Sequence, residues 1–211
     1  MTTENNFETF KLEELPGHLL KAVVVPRPIA WVSSVSDNGI HNLAPFSYFN
    51  VVSDNPPMLM IATTNKHTEG GDKDTLRNIE TTHHFVVNIV TYELFNPMNI
   101  TSASIPSSES EFDHAKVEWI DSKFGKSRRV KHSPIQIECK YFNSVQLPKG
   151  NEDCINRLII GEVVAIHVDK TILNTDGKID YSKITPIARM GYSNYASLNI
   201  DSLFDASRPN N

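Results

Sequence analysis

Two short segments carry residue types whose spacing could do chemistry. Asn42-Leu43-Ala44-Pro45-Phe46-Ser47-Tyr48-Phe49 mixes small, polar and aromatic side chains just after an Asn-Gly pair at residues 38–39. Such a segment can be a ledge on which backbone N–H groups and a hydroxyl meet a flat ligand. It can equally be an ordinary strand kinked by its proline. Lys73-Asp74-Thr75 stands where a helix begins. Free amides at a helix N-terminus, joined by a hydroxyl and an ammonium, make a cradle for phosphate. The same residues also fit a plain Asp or Thr cap.

Other chemistries are missing from the sequence. It has no G-x-G-x-x-G, no Walker loop, no G-x-S-x-G, no H-E-x-x-H and no C-x-x-C. His83 and His84 precede a strand, where neighbours point to opposite faces, so they are expected to be structural or exposed. The other histidines are scattered without partners at ligand spacing, and no metal site is expected. Cys139 and Cys154 give no disulfide framework and are expected as free thiols. A net charge of −5 argues against a nucleic-acid partner. The densest basic stretch, residues 123–131 with Arg128 and Arg129, reads as a solvated loop or as a contact for a phosphate or partner. No apolar run is long enough to span a membrane, and no secretory signal is visible. The compartment expected is therefore the cytoplasm, where the Asn99-Ile100-Thr101 sequon is a chance match.

Elements that must position these segments follow from periodicity. Residues 8–20 read as an entry segment with a short helix stopped near Pro16-Gly17. Residues 29–36 (IAWVSSVS) are a strand, and Asn38-Gly39 turns the chain into a return strand over residues 40–49. A strand over residues 58–64 follows Asn55-Pro56-Pro57, a helix opens at Asp74, and residues 85–90 form another strand. Residues 92–102 are a weaker helix candidate, and residues 103–128 are polar and unplaced. Ile135, Ile137, Cys139 and Tyr141 alternate with Gln136, Glu138 and Lys140, which makes Cys139 a buried small hydrophobe. Residues 158–168 are a long strand whose Gly161 marks a bulge or a close backbone approach. Residues 174–177 are a turn, and the tail from Ser207 is expected to be disordered. Strands outnumber helices at short spacing, which predicts one mainly β domain, a barrel or sandwich with a few short helices, over residues 1–211 with flexible ends.

In order and spacing, RPIAWVSS (residues 27–34), the Asn-Gly turn, NLAPFS (42–47), NPPM (55–58), KDTLRNI (73–79), FVVN (85–88), GEVVAIHV (161–168) and RMGY (189–192) resemble the flavin reductase-like, FMN-binding split-barrel family. The likeness spans roughly residues 20–195. It implies a split β-barrel that binds FMN. Ser33 and Ser34 would approach the flavin or its ribityl chain. Asn42, Leu43, Ala44, Pro45 and Ser47 would line the isoalloxazine, partly through backbone groups. Lys73, Asp74 and Thr75 would hold the phosphate, with Asp74 capping the helix or orienting Lys73. Arg27 and Arg189 match family arginines that either touch FMN or pack. The likeness also implies a homodimer with the cofactor near the subunit interface. Hydride transfer from NAD(P)H to flavin, and on to a flavin or another small acceptor, is chemistry carried by the cofactor, so no catalytic side chain is named. Two alternatives stand beside it: an FMN electron carrier reduced by a protein partner, and a barrel for another planar ligand such as haem or a pyridoxal derivative.

Overall fold

A computed structural model describes residues 6–149 and 154–209. After a 3₁₀ turn at Leu12–Glu14, helix α1 (Leu19–Val23) begins beyond Pro16-Gly17, where the Leu19 N–H donates to the Pro16 carbonyl at 2.8 Å. The 3₁₀ turn stops just before the Pro-Gly pair, as expected, and a second short helix opens beyond it. Strands β1 (Arg27–Pro28), β2 (Ala30–Val35), β3 (His41–Phe46), β4 (Phe49–Asp54) and β5 (Pro57–Thr63) follow. Helix α2 (Asp74–Thr82) leads into β6 (His84–Ile89), and α3 (Phe95–Ile100) and α4 (Glu111–His114) cover the next stretch. The chain continues through β7 (Trp119–Ile120), β8 (Arg129–Val130), β9 (Ile135–Gln146), β10 (Arg157–Val168), β11 (Ile187–Arg189) and β12 (Tyr195–Ser197). Residues 207–209 carry no regular structure, and the rest of the tail lies outside the described residues. Among the described residues no helix is long and apolar enough to cross a membrane.

Seven strands form one antiparallel sheet in the order β3-β2-β6-β9-β10-β5-β4. Its two outermost strands, β3 and β4, are consecutive in the chain, so the sheet must curl until its edges meet across Ser47-Tyr48. There the Tyr48 carbonyl accepts from Ala62 N–H at 2.8 Å. The result is a split barrel with its seam at β3 and β4. The single return strand expected over residues 40–49 is therefore two strands, because the chain leaves one edge for the other after Phe46. Pro45 fits because β3 is an edge strand. The Leu43 N–H points away from β2, so the missing N–H two residues on removes no ladder bond. Gly39, with φ +82°, closes the preceding turn.

β2 is buried along its whole length because both of its faces are covered. Ala30 and Val32 face the barrel interior with Ile61, Leu76, Ile79, Phe85 and Ile159. Trp31 joins Leu43, Met98, Phe112, Val117 and Val130 in a second core on the outer face. Each such large side chain taken fully out of water contributes about 1.5–3 kcal/mol. The alternation of β9 holds, but its polar face is not a solvent face: Gln136 and Glu138 are buried beneath residues 117–134. The Glu138 carboxylate accepts from the Lys123 and Phe124 N–H groups, both at 2.9 Å, and faces His167 Nε2 at 2.7 Å. Burial pushes its pKa up, yet these donors outweigh burial and hold it below the usual glutamate range. Arg129 is buried too, donating to Gln136 and the Asp121 carbonyl, so the basic stretch covers the barrel through Arg129 while Lys123, Lys126 and Lys131 stay exposed as in a solvated loop. His84 is buried with Nε2 3.4 Å from Glu138, whereas His83 is exposed and ends α2 in a left-handed conformation.

Gly161 lies at a register shift between β9 and β10, and a Cβ there would meet the Phe85 ring at 2.5 Å. Cys139, fully buried as expected, packs beside the same spot. Replacing Gly161 with alanine is expected to cost about 1–3 kcal/mol of stability by overpacking. Urea denaturation reads this directly, and an unchanged midpoint would mean that the barrel yields at this bulge.

Candidate functional site

A cleft of about 610 Å³ opens at the barrel seam, within the range of small-molecule sites. One wall is the end of β3 and the link to β4, with Asn42, Ala44, Pro45 and Ser47. A second is the start of α2 with Lys73, Asp74 and Thr75, joined by His67 from the preceding loop. A third combines α1 with Arg27, Arg189 and Tyr192. Thr101, which accepts a 2.8 Å hydrogen bond from Trp31 Nε1, anchors the segment 101–105 that completes the lining.

The first two walls are tied by a chain of buried polar groups that ends on Glu111, 7% exposed at the start of α4. The Glu111 carboxylate accepts from Asn42 Nδ2 at 2.8 Å and from the Leu43 N–H at 2.9 Å. Because an ionised carboxylate only accepts, the Asn42 amide must turn its NH₂ toward Glu111 and its Oδ1 toward α2. Oδ1 in turn only accepts, so the Thr75 hydroxyl, at 2.7 Å, and the Ser34 hydroxyl, at 3.3 Å, must donate to it. Asn78 Nδ2 then donates to Ser34 Oγ at 3.3 Å. Burial raises the Glu111 pKa above its ordinary value, against the lowering effect of the Leu43 and Asn42 hydrogen bonds. Sequence reading missed Glu111 because it lies in the unplaced stretch 103–128, and no local pattern separates it from its solvated neighbours.

Of the residues singled out in the sequence, the cleft gathers Asn42, Ala44, Pro45, Ser47, Lys73, Asp74 and Thr75. It does not gather Ser33, Ser34 or Leu43. Ser33 is fully buried on the outer face of β2, donating to the Arg128 carbonyl, and Ser34 is locked inside the polar chain. Leu43 turns its side chain into the outer core and offers only its N–H, to Glu111. Arg27 packs: its Nη groups donate to the carbonyls of Lys21, Val24 and Met190. Arg189 donates to the Tyr192 carbonyl at 2.7 Å and lies over the Tyr195 ring.

Helix α2 begins without a side-chain cap on Lys73, so its first amides remain open toward the cleft. Asp74 neither caps the helix nor bonds Lys73. It pairs with Arg77 one turn on and with His67 Nε2 at 3.2 Å. The Glu69 N–H donates to His67 Nδ1 at 3.1 Å, which leaves the imidazole proton on Nε2, directed at Asp74. The polar stretch from Thr63 to Gly71 is thereby pinned to α2. Two glycines with positive φ, Gly70 at +91° and Gly71 at +72°, make the tight return that this requires.

Set beside known proteins, this arrangement has a clear class. The chain belongs to the family described as the flavin reductase like domain, whose profile matches residues 22–184. It is 41% identical to an uncharacterized protein of Aquifex aeolicus over 177 residues, 84% of this chain and 87% of that protein. Nitrilotriacetate monooxygenase component B from Bacillus cereus superposes with a TM-score of 0.86 at 32% identity, covering 96% of this chain and all of that one. The Pseudomonas fluorescens 2-nitrobenzoate 2-nitroreductase NbaA follows at 0.82 and 26%, covering 96% of each chain. The mainly β split barrel is thus the fold of the flavin reductase-like family.

Glu111→Gln keeps the shape but turns one of the two buried donors, Leu43 N–H or Asn42 Nδ2, against an NH₂ group. The expected cost is about 1–3 kcal/mol. Because the folded pKa of Glu111 is raised, the native state holds its proton more tightly than the unfolded chain. That contribution is fully present below the ordinary value of 4.5 and is lost as pH rises through the folded pKa. The stability gap between wild type and variant should therefore be widest in acid and narrow toward neutrality. Denaturation midpoints measured across pH check it, and a gap that widens upward would contradict the assignment.

Proposed function

We propose that this chain binds FMN in the seam cleft and acts as an NAD(P)H-dependent oxidoreductase that reduces flavin or another small acceptor. The observation that carries the reading is the meeting, in one cleft, of a flat strand edge and an uncapped helix N-terminus beside a lysine. Ala44 and Pro45 project little, which suits a planar ring. The open amides of α2 and the Lys73 ammonium suit a terminal phosphate. Asp74, whose charge would repel that phosphate, is turned to Arg77 and His67 instead. Bound FMN would supply the hydride acceptor through which electrons pass from nicotinamide to the final acceptor. The protein's part is to hold two rings in contact, with Asn42 oriented by Glu111 and Thr75.

Thr75 plays an indirect part in this reading, since its one hydroxyl hydrogen is given to Asn42. The phosphate contacts come from Lys73 and the α2 amides. Riboflavin should bind about 30- to 1,000-fold more weakly than FMN, from hydrogen bonds to charge of roughly 1.5–3 kcal/mol each, discounted for solvent. Lys73→Ala should weaken FMN about tenfold and leave riboflavin nearly unchanged, whereas Thr75→Ala should affect both ligands alike. Fluorescence titrations of both flavins test this, and equal losses for Lys73→Ala would put the phosphate elsewhere. An absorption spectrum of the purified protein, followed by addition of NADH or NADPH, tests the activity. Bleaching of the flavin band supports the reductase. A protein that binds FMN but is reduced only by another protein is a carrier, and a colourless one with no affinity for FMN overturns the reading.

We also propose a homodimer. The family likeness carries this reading, and Val51 on β4, Phe142 on β9 and Ile166 on β10, each about 60% exposed (61%, 62% and 58%), are apolar side chains that a second copy would cover. Light scattering should give twice the 23.7 kDa chain mass, and a stable monomer with FMN bound would contradict it.

A further inference from the structure

The third wall of the cleft has no role in holding FMN as proposed above, yet it concentrates positive charge. Arg27 is 7% exposed and donates to three backbone carbonyls, while its Nε has no hydrogen-bond partner. Among the described residues, no carboxylate pairs with Arg27, Lys21 or Arg189. A buried guanidinium compensated only by carbonyl dipoles is an unusual state, because buried charges are ordinarily paired. The imbalance extends over the cleft: Lys21, Arg27, Lys73 and Arg189 line it against Asp74 and Glu111. Asp74 is already paired with the Arg77 guanidinium and accepts from His67 Nε2. This positive cleft belongs to a chain of net charge −5, so the sign is local rather than a property of the whole surface.

The same wall is built to stay in place. A Cβ on Gly191 would lie 2.8 Å from the Ala22 Cα, so the 189–192 turn and α1 are in backbone contact, and Arg27 laces both through the Val24 and Met190 carbonyls. Tyr192, held at φ +57°, presents an exposed ring at the cleft beside His18, with ring centroids 5.2 Å apart. A fixed cationic wall with an exposed aromatic pair suits a planar molecule that carries an oxyanion.

We propose that α1 and the 189–192 turn form an oxyanion subsite, separate from the start of α2, for the phosphate or carboxylate of the substrate that exchanges electrons with the flavin. The proposal rests on the reading that FMN occupies the ledge and α2. Lys21 is the contact to vary, because it is exposed and its ammonium has no partner among the described residues, whereas Arg27 is structural.

The experiment titrates inorganic pyrophosphate calorimetrically into FMN-saturated wild type, Lys21→Glu and Arg189→Gln. The same titrations on Lys73→Ala protein without flavin read the subsite free of α2. Removing the half-buried Arg189 charge is expected to weaken pyrophosphate about 5-fold and reversing the exposed Lys21 charge about 20-fold, with FMN affinity within about twofold of wild type. Two kinetic arms locate the source of the oxyanion. If it is the nicotinamide dinucleotide's, Lys21→Glu raises the concentration of NADH or NADPH needed for half-maximal reduction of the bound flavin. If it is the acceptor's, the variant slows reoxidation by free FMN but not by uncharged lumiflavin. Either loss supports the subsite. Pyrophosphate that fails to bind wild type, or binds both variants as tightly, overturns it, even where FMN binds normally. Failure of wild type to bind FMN, with pyrophosphate binding still sensitive to Lys21, would sink the flavin reading and leave the anion subsite standing.

Discussion

Much of this site hangs on one buried carboxylate. Glu111 can only accept hydrogen bonds, and that fact propagates. It fixes which way the Asn42 amide faces, which fixes the direction of the Thr75 and Ser34 hydroxyls, which leaves Asn78 to donate inward. Four elements, α4, β3, β2 and α2, are thereby joined by bonds whose polarity cannot be reversed without deprotonating a donor or protonating Glu111. A polar network of this kind is strong when complete and costly when one member is lost. Its position ties a strand edge to a helix start at the cleft, beside the apolar core that Phe46, Leu76 and Ile79 share.

The second constraint is topological. A seven-stranded antiparallel sheet whose terminal strands are joined by two residues has to close on itself, and the closure leaves a seam rather than a continuous ladder. At the seam the outward groups of β3 have no strand to bond. One is taken by Glu111, and another is removed by Pro45. What remains is a shallow, stiff edge facing a cavity, bounded by the start of α2. The cleft is a by-product of how the barrel closes.

Charge follows the same division between inside and seam. Glu138 lies beneath the flap of residues 117–134, accepting from two of its backbone N–H groups, and Arg129 within the flap donates to the Asp121 carbonyl and to Gln136. At the cleft, Arg27 and Lys21 have no carboxylate partner among the described residues, which leaves positive charge in excess along that wall. A protein that is acidic overall can therefore attract anions to one place.

How much of this was legible in the chain itself depended on the range of the interaction. Strands such as residues 29–36, the Asn38-Gly39 turn, the bulge at Gly161 and the helix start at Asp74 were readable, because alternation, turn chemistry and the three-residue spacing of Leu76 and Ile79 act between residues a few positions apart. The strand of residues 42–46 and the helix start at 73–75 were readable for the same reason, and the order of these motifs along the chain carried the family likeness. The sequence could not reveal that Ser33 and Ser34 are enclosed, since alternation along β2 does not say that both faces will be covered. Nor could it reveal that Gln136 and Glu138 sit beneath a flap, or that Asp74 serves His67 and Arg77 instead of the helix cap. Glu111 and Asn42 are 69 residues apart, and Arg27 meets Met190 across 163. Contacts of that separation leave no local periodicity; they exist only because the sheet curls and brings α1, α4 and β11 to the seam.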